Sequence, residues 1–211
     1  MAERPAQRRG SYAKGIAKRE EILDRALDVI AREGYRGASV KELADAVGLS
    51  QAGLLHYFDS KEELFVEILR KRDAVDQSVY GIGPGAQAPD ELRTGFIRVM
   101  QHNADVPGLV RLYAQMSVEA TDPTHPAHDY FTERSRGIRE TMAAARPLPA
   151  SGEPLDPDTF GRVLQAVADG LQVQWLQDPS IDMAGIISAL LEALEGGTPA
   201  ESAAADQPTA D

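Results

Sequence analysis

Three clusters in this 211-residue chain hold residue types able to do chemistry, and their spacing tells them apart. His125-Pro-Ala-His128-Asp129 offers two imidazoles and a carboxylate. A helical zinc pair wants His at i and i+4 with a Glu base. Here the interval is i, i+3 across a proline, which reads as a polar-capped helix start. Gly81-Ile-Gly-Pro-Gly85 has the glycine density of a phosphate loop. It has no strand before it and no GK[ST] after it, and Pro84 removes a backbone donor. The third cluster is Ser50-Gln-Ala-Gly-Leu-Leu-His-Tyr57, flanked by Lys41 and Lys61. An amide, an imidazole, a phenol and two lysines so close together suit recognition rather than catalysis. There is no GxSxG element, no residue is assigned a catalytic role, and no metal site or cofactor is expected.

The elements that must hold this third cluster are legible around it. A first helix over about 16–33 carries Ile16, Leu23, Ala26, Leu27, Ile30 and Ala31 on one face, with Gly34 as a left-handed C-cap. Ser39-Val-Lys-Glu42 is a capping box opening a short second helix that buries Val40, Leu43, Ala44 and Val47 and stops at Gly48. Ser50 caps a third helix reaching Tyr57 or Phe58. Asp59 and Ser60, each with Glu three residues on, open a fourth that continues toward Val79. Two short helices joined at Val47-Gly-Leu-Ser50 and buttressed by a longer one make a helix-turn-helix pattern. Gly48 serves the reversal, where φ is positive.

The rest is also helical. After a linker at 81–89, helices are expected at about 90–104, 107–121, 127–145, 157–177 and 182–195, punctuated by Pro107, Pro123, Pro126, Pro147 and Pro179. The fold class is therefore all-α. An N-terminal three-helix helix-turn-helix domain (16–60) precedes a C-terminal helical domain (61–196), to which the family resemblance given below assigns ligand binding and dimerisation. Residues 1–15 and 197–211 are expected to be a disordered basic arm and a disordered tail.

The formal net charge of −11 is unevenly spread. Residues 1–72 hold 14 Lys+Arg against 12 Asp+Glu, whereas residues 73–211 hold 8 against 21. Six of the first 19 residues are basic: Arg4, Arg8, Arg9, Lys14, Lys18 and Arg19. Such polarity suggests a nucleic-acid end on an acidic body, with the arm following the minor groove or simply solvated. With no cysteine, a disulfide framework and a thiolate metal site are excluded. No secretory h-region and no apolar run near the roughly 20 residues that span a bilayer are present, so the reading is a cytoplasmic protein without a membrane partner.

The segment GYRGASVKELADAVGLSQAGLLHYFDSKEELF resembles the DNA-binding signature of the TetR family of bacterial regulators. The resemblance covers residues 16–72 and extends more loosely to Asp169–Pro179. It implies a transcriptional regulator, a repressor that binds a palindromic double-stranded DNA operator as a homodimer and is released by a small-molecule effector. On that resemblance the third helix lies in the major groove with Gln51, Ala52, His56 and Tyr57 outward. Gln51 suits adenine N6/N7 and Ala52 a thymine methyl. Gly53 implies close approach to DNA or to a neighbouring helix. Tyr57, Lys61, Ser39 and Lys41 suit phosphates, with Ser50 capping the reading helix beside them. Leu55 departs from the Tyr of the family's pattern.

The resemblance also assigns the C-terminal half. Helices 90–145 with helix 157–177 should enclose an effector pocket lined by Phe96, Met100, Tyr113, Met116, Phe131, Gln172 and Trp175. The stripes Phe160, Val163, Leu164, Val167, Leu171, Trp175 and Met183, Ile186, Ile187, Leu190, Leu191, Leu194 can face the chain's own core or a partner. Of these, Val163, Val167, Leu171, Ile187, Leu190, Leu191 and Leu194 are expected at a four-helix dimer interface. Two reading helices would then stand roughly 34–36 Å apart on the operator.

Overall fold

Serine caps decide where the N-terminal helices begin, and the computed structural model describes residues 6–33, 39–83, 88–147, 149 and 153–195. Its elements are α1 (Ala6–Glu33), α2 (Val40–Ala46), α3 (Gln51–Leu55), α4 (Lys61–Tyr80), α5 (Pro89–Asn103), α6 (Pro107–Glu119), α7 (His128–Ala144), α8 (Pro157–Gln177) and α9 (Met183–Leu194). Every regular element among the described residues is a helix, and none is long and apolar enough to cross a membrane.

At α2 the Ser39 Oγ accepts from the Glu42 N–H at 3.2 Å while the Glu42 carboxylate accepts from the Ser39 N–H at 2.7 Å. This is the reciprocal capping box read from sequence. Gly48 follows at φ 69°, a left-handed turn that L side chains adopt only with strain. Ser50 then accepts from the Gly53 N–H and Ser60 from the Glu63 N–H, both at 3.0 Å.

Three expectations are corrected here. The first helix begins at Ala6 rather than 16, so much of the expected disordered arm is helical. Ala6, Gln7, Arg8 and Arg9 are strong helix formers, and Gly10 and Gly15 each cost about 1 kcal/mol without stopping a helix. Residues 1–5, the Gly34 cap and the tail 197–211 lie outside the described residues. The third helix ends at Leu55, short of Tyr57. Phe58 turns inward to 1% exposure, which pulls the chain off the helix axis before the Ser60 cap restarts it. Ile16, read as core-facing, is exposed, because the buried stripe of α1 is Ile22, Leu23, Ala26 and Ile30.

The apolar side chains form two clusters. One joins α1–α4 to α6 and the start of α7, through Leu54, Phe58, Leu64, Ile68, Leu112 and Met116 among others. A second joins α5, α7, α8 and α9 through Phe96, Met142, Phe160, Leu171, Trp175 and Ile187. The first cluster runs past residue 60: α4 contributes Leu64, Phe65, Val66, Ile68 and Leu69, so the helix-turn-helix shares its core with the larger half. On the surface Lys71 adds a tie, with its Nζ 2.9 Å from both Glu20 and Asp24 of α1.

Candidate nucleic-acid interface and internal cavity

The short helix α3 buries Leu54 and leaves Gln51, Ala52, Leu55 and His56 exposed. Lys41 on α2 and Lys61 at the start of α4 are exposed on either side in sequence, and Tyr57 is half-buried with its ring edge-on to His56 at 5.9 Å. Lys61 Nζ stands 5.4 Å from the Phe65 ring centroid, which steadies the ammonium without neutralising it. The Ser39 and Ser50 hydroxyls use an acceptor lone pair on their caps. Each O–H is still able to donate, so capping and phosphate contact are compatible. Around Gly53 an added Cβ would meet the Ser50 Oγ at 3.2 Å and otherwise only Leu49. Among the described residues no neighbouring helix crowds it, so of the two expected reasons for Gly53 the close helix approach is not met.

Arg19, counted with the basic arm, is committed within the chain. Its Nε donates to the Tyr57 carbonyl at 3.4 Å, and its terminal nitrogens donate to Glu67 and Glu63 at 3.1 Å each. The guanidinium also lies 4.8 Å over the Phe58 ring. One side chain of α1 thus holds the segment after α3 to α4. Lys18 pairs with Glu21 at 2.9 Å, which takes a second arm residue out of the free set.

A cavity of about 680 Å³ opens among α4, α5, α7 and α8. Of the expected lining, Phe96, Met100 and Gln172 are there. Tyr113, Met116 and Phe131 instead pack in the first apolar cluster and Trp175 in the second. Large apolar side chains find more contact area in a filled core than on a cavity wall, which is the physical reason for the difference.

What sequence reasoning missed is the polar end of this cavity. Asp73 accepts three hydrogen bonds: from Arg72 Nη2 at 2.8 Å, Arg134 Nε at 2.9 Å and the Tyr130 hydroxyl at 2.6 Å. Burial pushes its carboxyl up, but the two guanidiniums and the phenol outweigh that and hold it down to about 2. Arg134 Nη1 also donates to the Tyr113 hydroxyl, which donates in turn to Asp169, each at 3.1 Å. Burial raises the Tyr113 phenol to about 12 and lifts Asp169 above the usual carboxylate range. Arg72 and Asp76 are each 5% exposed. Burial raises Asp76 too, and its nearest cation, Arg72 Nε, stands 3.9 Å away. Asn103 donates to Gln172 at 3.5 Å beside them. A sequence signal for this cluster existed: Phe65, Leu69, Arg72 and Asp76 follow i, i+4, i+7, i+11, so charges occupy the continuation of the apolar stripe of α4.

On α8 and α9 the expected dimer stripe divides. Leu171, Ile187 and Leu191 are buried in the chain's own second cluster, which removes them from an outward face. Val167, Leu190 and Leu194 are partly covered, and Val163 is exposed. Val173 and Ile186, not expected there, are each 44% exposed. Gly170 has nothing near its missing Cβ. The expected polar cap at the start of α7 is not formed, since Ala127 stands at the N-cap; the His125 ring accepts from the Ala127 N–H at 3.2 Å, and His128 Nδ1 lies 2.9 Å from the Ala120 carbonyl at the end of α6.

Comparisons with known proteins bear on this geometry. The family model for bacterial regulatory proteins of the tetR family matches residues 22–68, the segment running from α1 through α3 into α4. The HTH-type transcriptional regulator RutR of Escherichia coli K12 is 33% identical over 72 residues, which is 34% of this chain and 34% of that protein. A transcriptional regulator from Rhodococcus sp. Rha1 superposes with a TM-score of 0.63 at 20% identity, over 84% of this chain and 94% of that one. FadR of Thermus thermophilus, a TetR-family transcriptional repressor solved with lauroyl-CoA, gives 0.54 at 18% identity, over 90% of this chain and all (100%) of that one. The two structural likenesses carry the all-helical fold, and the sequence matches carry the helix-turn-helix. The chain covers 34% of the length of RutR, and its likeness to bacterial regulatory proteins of the tetR family rests on residues 22–68.

Proposed function

We propose that this protein is a cytoplasmic transcriptional repressor that binds a palindromic operator as a homodimer and leaves it when a small molecule fills the α4–α5–α7–α8 cavity. The observation that carries the reading is the course of α4. It starts at the exposed Lys61, a few residues after α3 ends, and further along places Arg72, Asp73, Asp76 and Gln77 on the cavity wall. A ligand that prefers one position of α4 therefore biases the reading helix, because Arg19 ties α4 to the carbonyl of Tyr57. Gln51 and Ala52 read bases, while Lys41, Tyr57, Lys61 and the two capping serines hold phosphates. The volume lies within the range of small-molecule pockets, and the FadR likeness supports a cavity of this fold as a ligand site. The apolar surface of Val163, Val167, Val173, Ile186 and Leu190 suits a partner copy.

Two substitutions separate the roles. Gln51→Ala is expected to cost about 1–3 kcal/mol against one base pair and relax specificity there. Lys61→Ala is expected to weaken all duplexes evenly and lower the slope of log K against log salt by about 0.9. Fluorescence anisotropy across a salt series checks both. Affinity and slope unchanged in both variants would contradict this placement of the DNA.

A further inference from the structure

The geometry points to an uncharged effector: an apolar molecule bearing a hydroxyl that sits between Arg72 and Asp76. This rests on the cavity being the effector site. Its body has an apolar wall to meet, with Ile82, Leu92, Phe96, Val99, Met100 and Met142 on the lining.

Its head group follows from which polar groups are already matched. Asp73 accepts from Arg72, Arg134 and Tyr130, while Arg134 and Tyr113 are joined, and Tyr113 donates to Asp169. Gln172 accepts from Asn103 and donates to the Ala168 carbonyl. Two buried charged groups on the lining are left without a full set of partners. Arg72 Nε, in a side chain 7% exposed, has no hydrogen-bond partner. Asp76, equally buried, accepts no hydrogen bond among the described residues, and the 3.9 Å between them is beyond hydrogen-bond reach.

One unused donor beside one unused acceptor selects among head groups. A carboxylate satisfies Arg72 but sets a second anion against Asp76. An ammonium satisfies Asp76 but places a cation against Arg72 and leaves the arginine unmatched. A hydroxyl accepts from Arg72, donates to Asp76 and adds no charge to a cluster whose other charges are already paired. Buried groups left unpaired by the wrong ligand are what make such a site discriminate.

The test uses the full chain and two matched probe series at pH 7.5: 1-decanol, decanoate and decylamine; and 2-naphthylmethanol, 2-naphthoate and 2-naphthylmethylamine. Binding is measured by equilibrium dialysis. Each alcohol is expected to bind on the order of tenfold tighter than its charged relatives. Asp76→Asn changes no hydrogen bond of the fold, and its amide offers a donor where the carboxylate stood. It is expected to shift preference toward the carboxylates by a similar factor. An ammonium or carboxylate probe binding tightest to the wild type would overturn the hydroxyl assignment and leave the cavity as the effector site. Alcohols still preferred to the same extent by D76N would overturn the role of Asp76. No probe bound by either protein would overturn the cavity reading and this inference with it.

Discussion

Replacing Asp73 with Asn is expected to cost the folded chain about 3–5 kcal/mol, the usual penalty for removing one partner of a buried ion pair. The side chains of Arg72 and Arg134 are 7% and 21% exposed, and Asp73 is the shared acceptor of both. Without its charge, two guanidiniums face each other across a desolvated space with only Asp76 and Asp169 to offset them. Isosteric Asn keeps the packing, so the loss reports the charge and its hydrogen bonds. Urea unfolding at neutral pH, with an unchanged m-value and a lowered midpoint, is the expected result. A cost under about 0.5 kcal/mol, the range of ordinary surface substitutions, would mean the cluster is solvated.

The same residue gives the fold an acid limb. Its folded pKa lies near 2, below the unfolded value of about 3.9. A depressed carboxylate stabilises fully above the unfolded value, and that contribution disappears as pH falls from about 4 toward 2. Asp76 and Asp169 are raised, so they act in the opposite sense: falling pH first gains stability as they protonate. D73N should therefore show a shallower loss below pH 4 than the wild type.

The second large effect concerns assembly. Val163 and Val173 are exposed at 37% and 44%, on the same side of α8 as Val167 and Gly170. Because neither supports the chain's own core, Val163→Glu with Val173→Glu should leave the monomer's fold and melting nearly unchanged. In the proposed homodimer, however, the new carboxylates would meet their own copies across the two-fold axis in an apolar contact. Sedimentation is expected to show monomers. Operator affinity should fall on the order of 10²–10⁴-fold, since each half-site is then held without the other. A double variant still dimeric and still tight on DNA would place the interface elsewhere.

The N-terminal part was readable because its signals are local. Ser39 with Glu42, Gly48, Ser50 and Ser60 with Glu63 each act within four residues of themselves, and every one takes the cap or turn its type suggests. The start of α1 is harder to read, because Gly10 and Gly15 lower helix propensity without stopping the helix. The cavity was less legible for a different reason. Arg72, Asp73 and Asp76 look solvent-facing by type, since such residues are seldom buried unless paired. Their partners Tyr130 and Arg134 come from α7, 57 and 61 positions further along. Tyr113 illustrates the complement: read as lining, it is a buried link whose hydroxyl joins Arg134 to Asp169. The α8–α9 stripes were correct as apolar faces, but spacing alone does not say which turn faces inward. Leu171, Ile187 and Leu191 went to the core while Val173 and Ile186 stayed out.

The most direct test of the central claim is selection from a random duplex library with the purified full-length protein at moderate salt. The account predicts recovery of a palindrome whose two matching half-sites are centred roughly 34–36 Å, one helical turn, apart or a multiple of that. Failure to enrich any sequence, by protein verified as folded and dimeric, would contradict the assignment of the α3 face as a DNA reader.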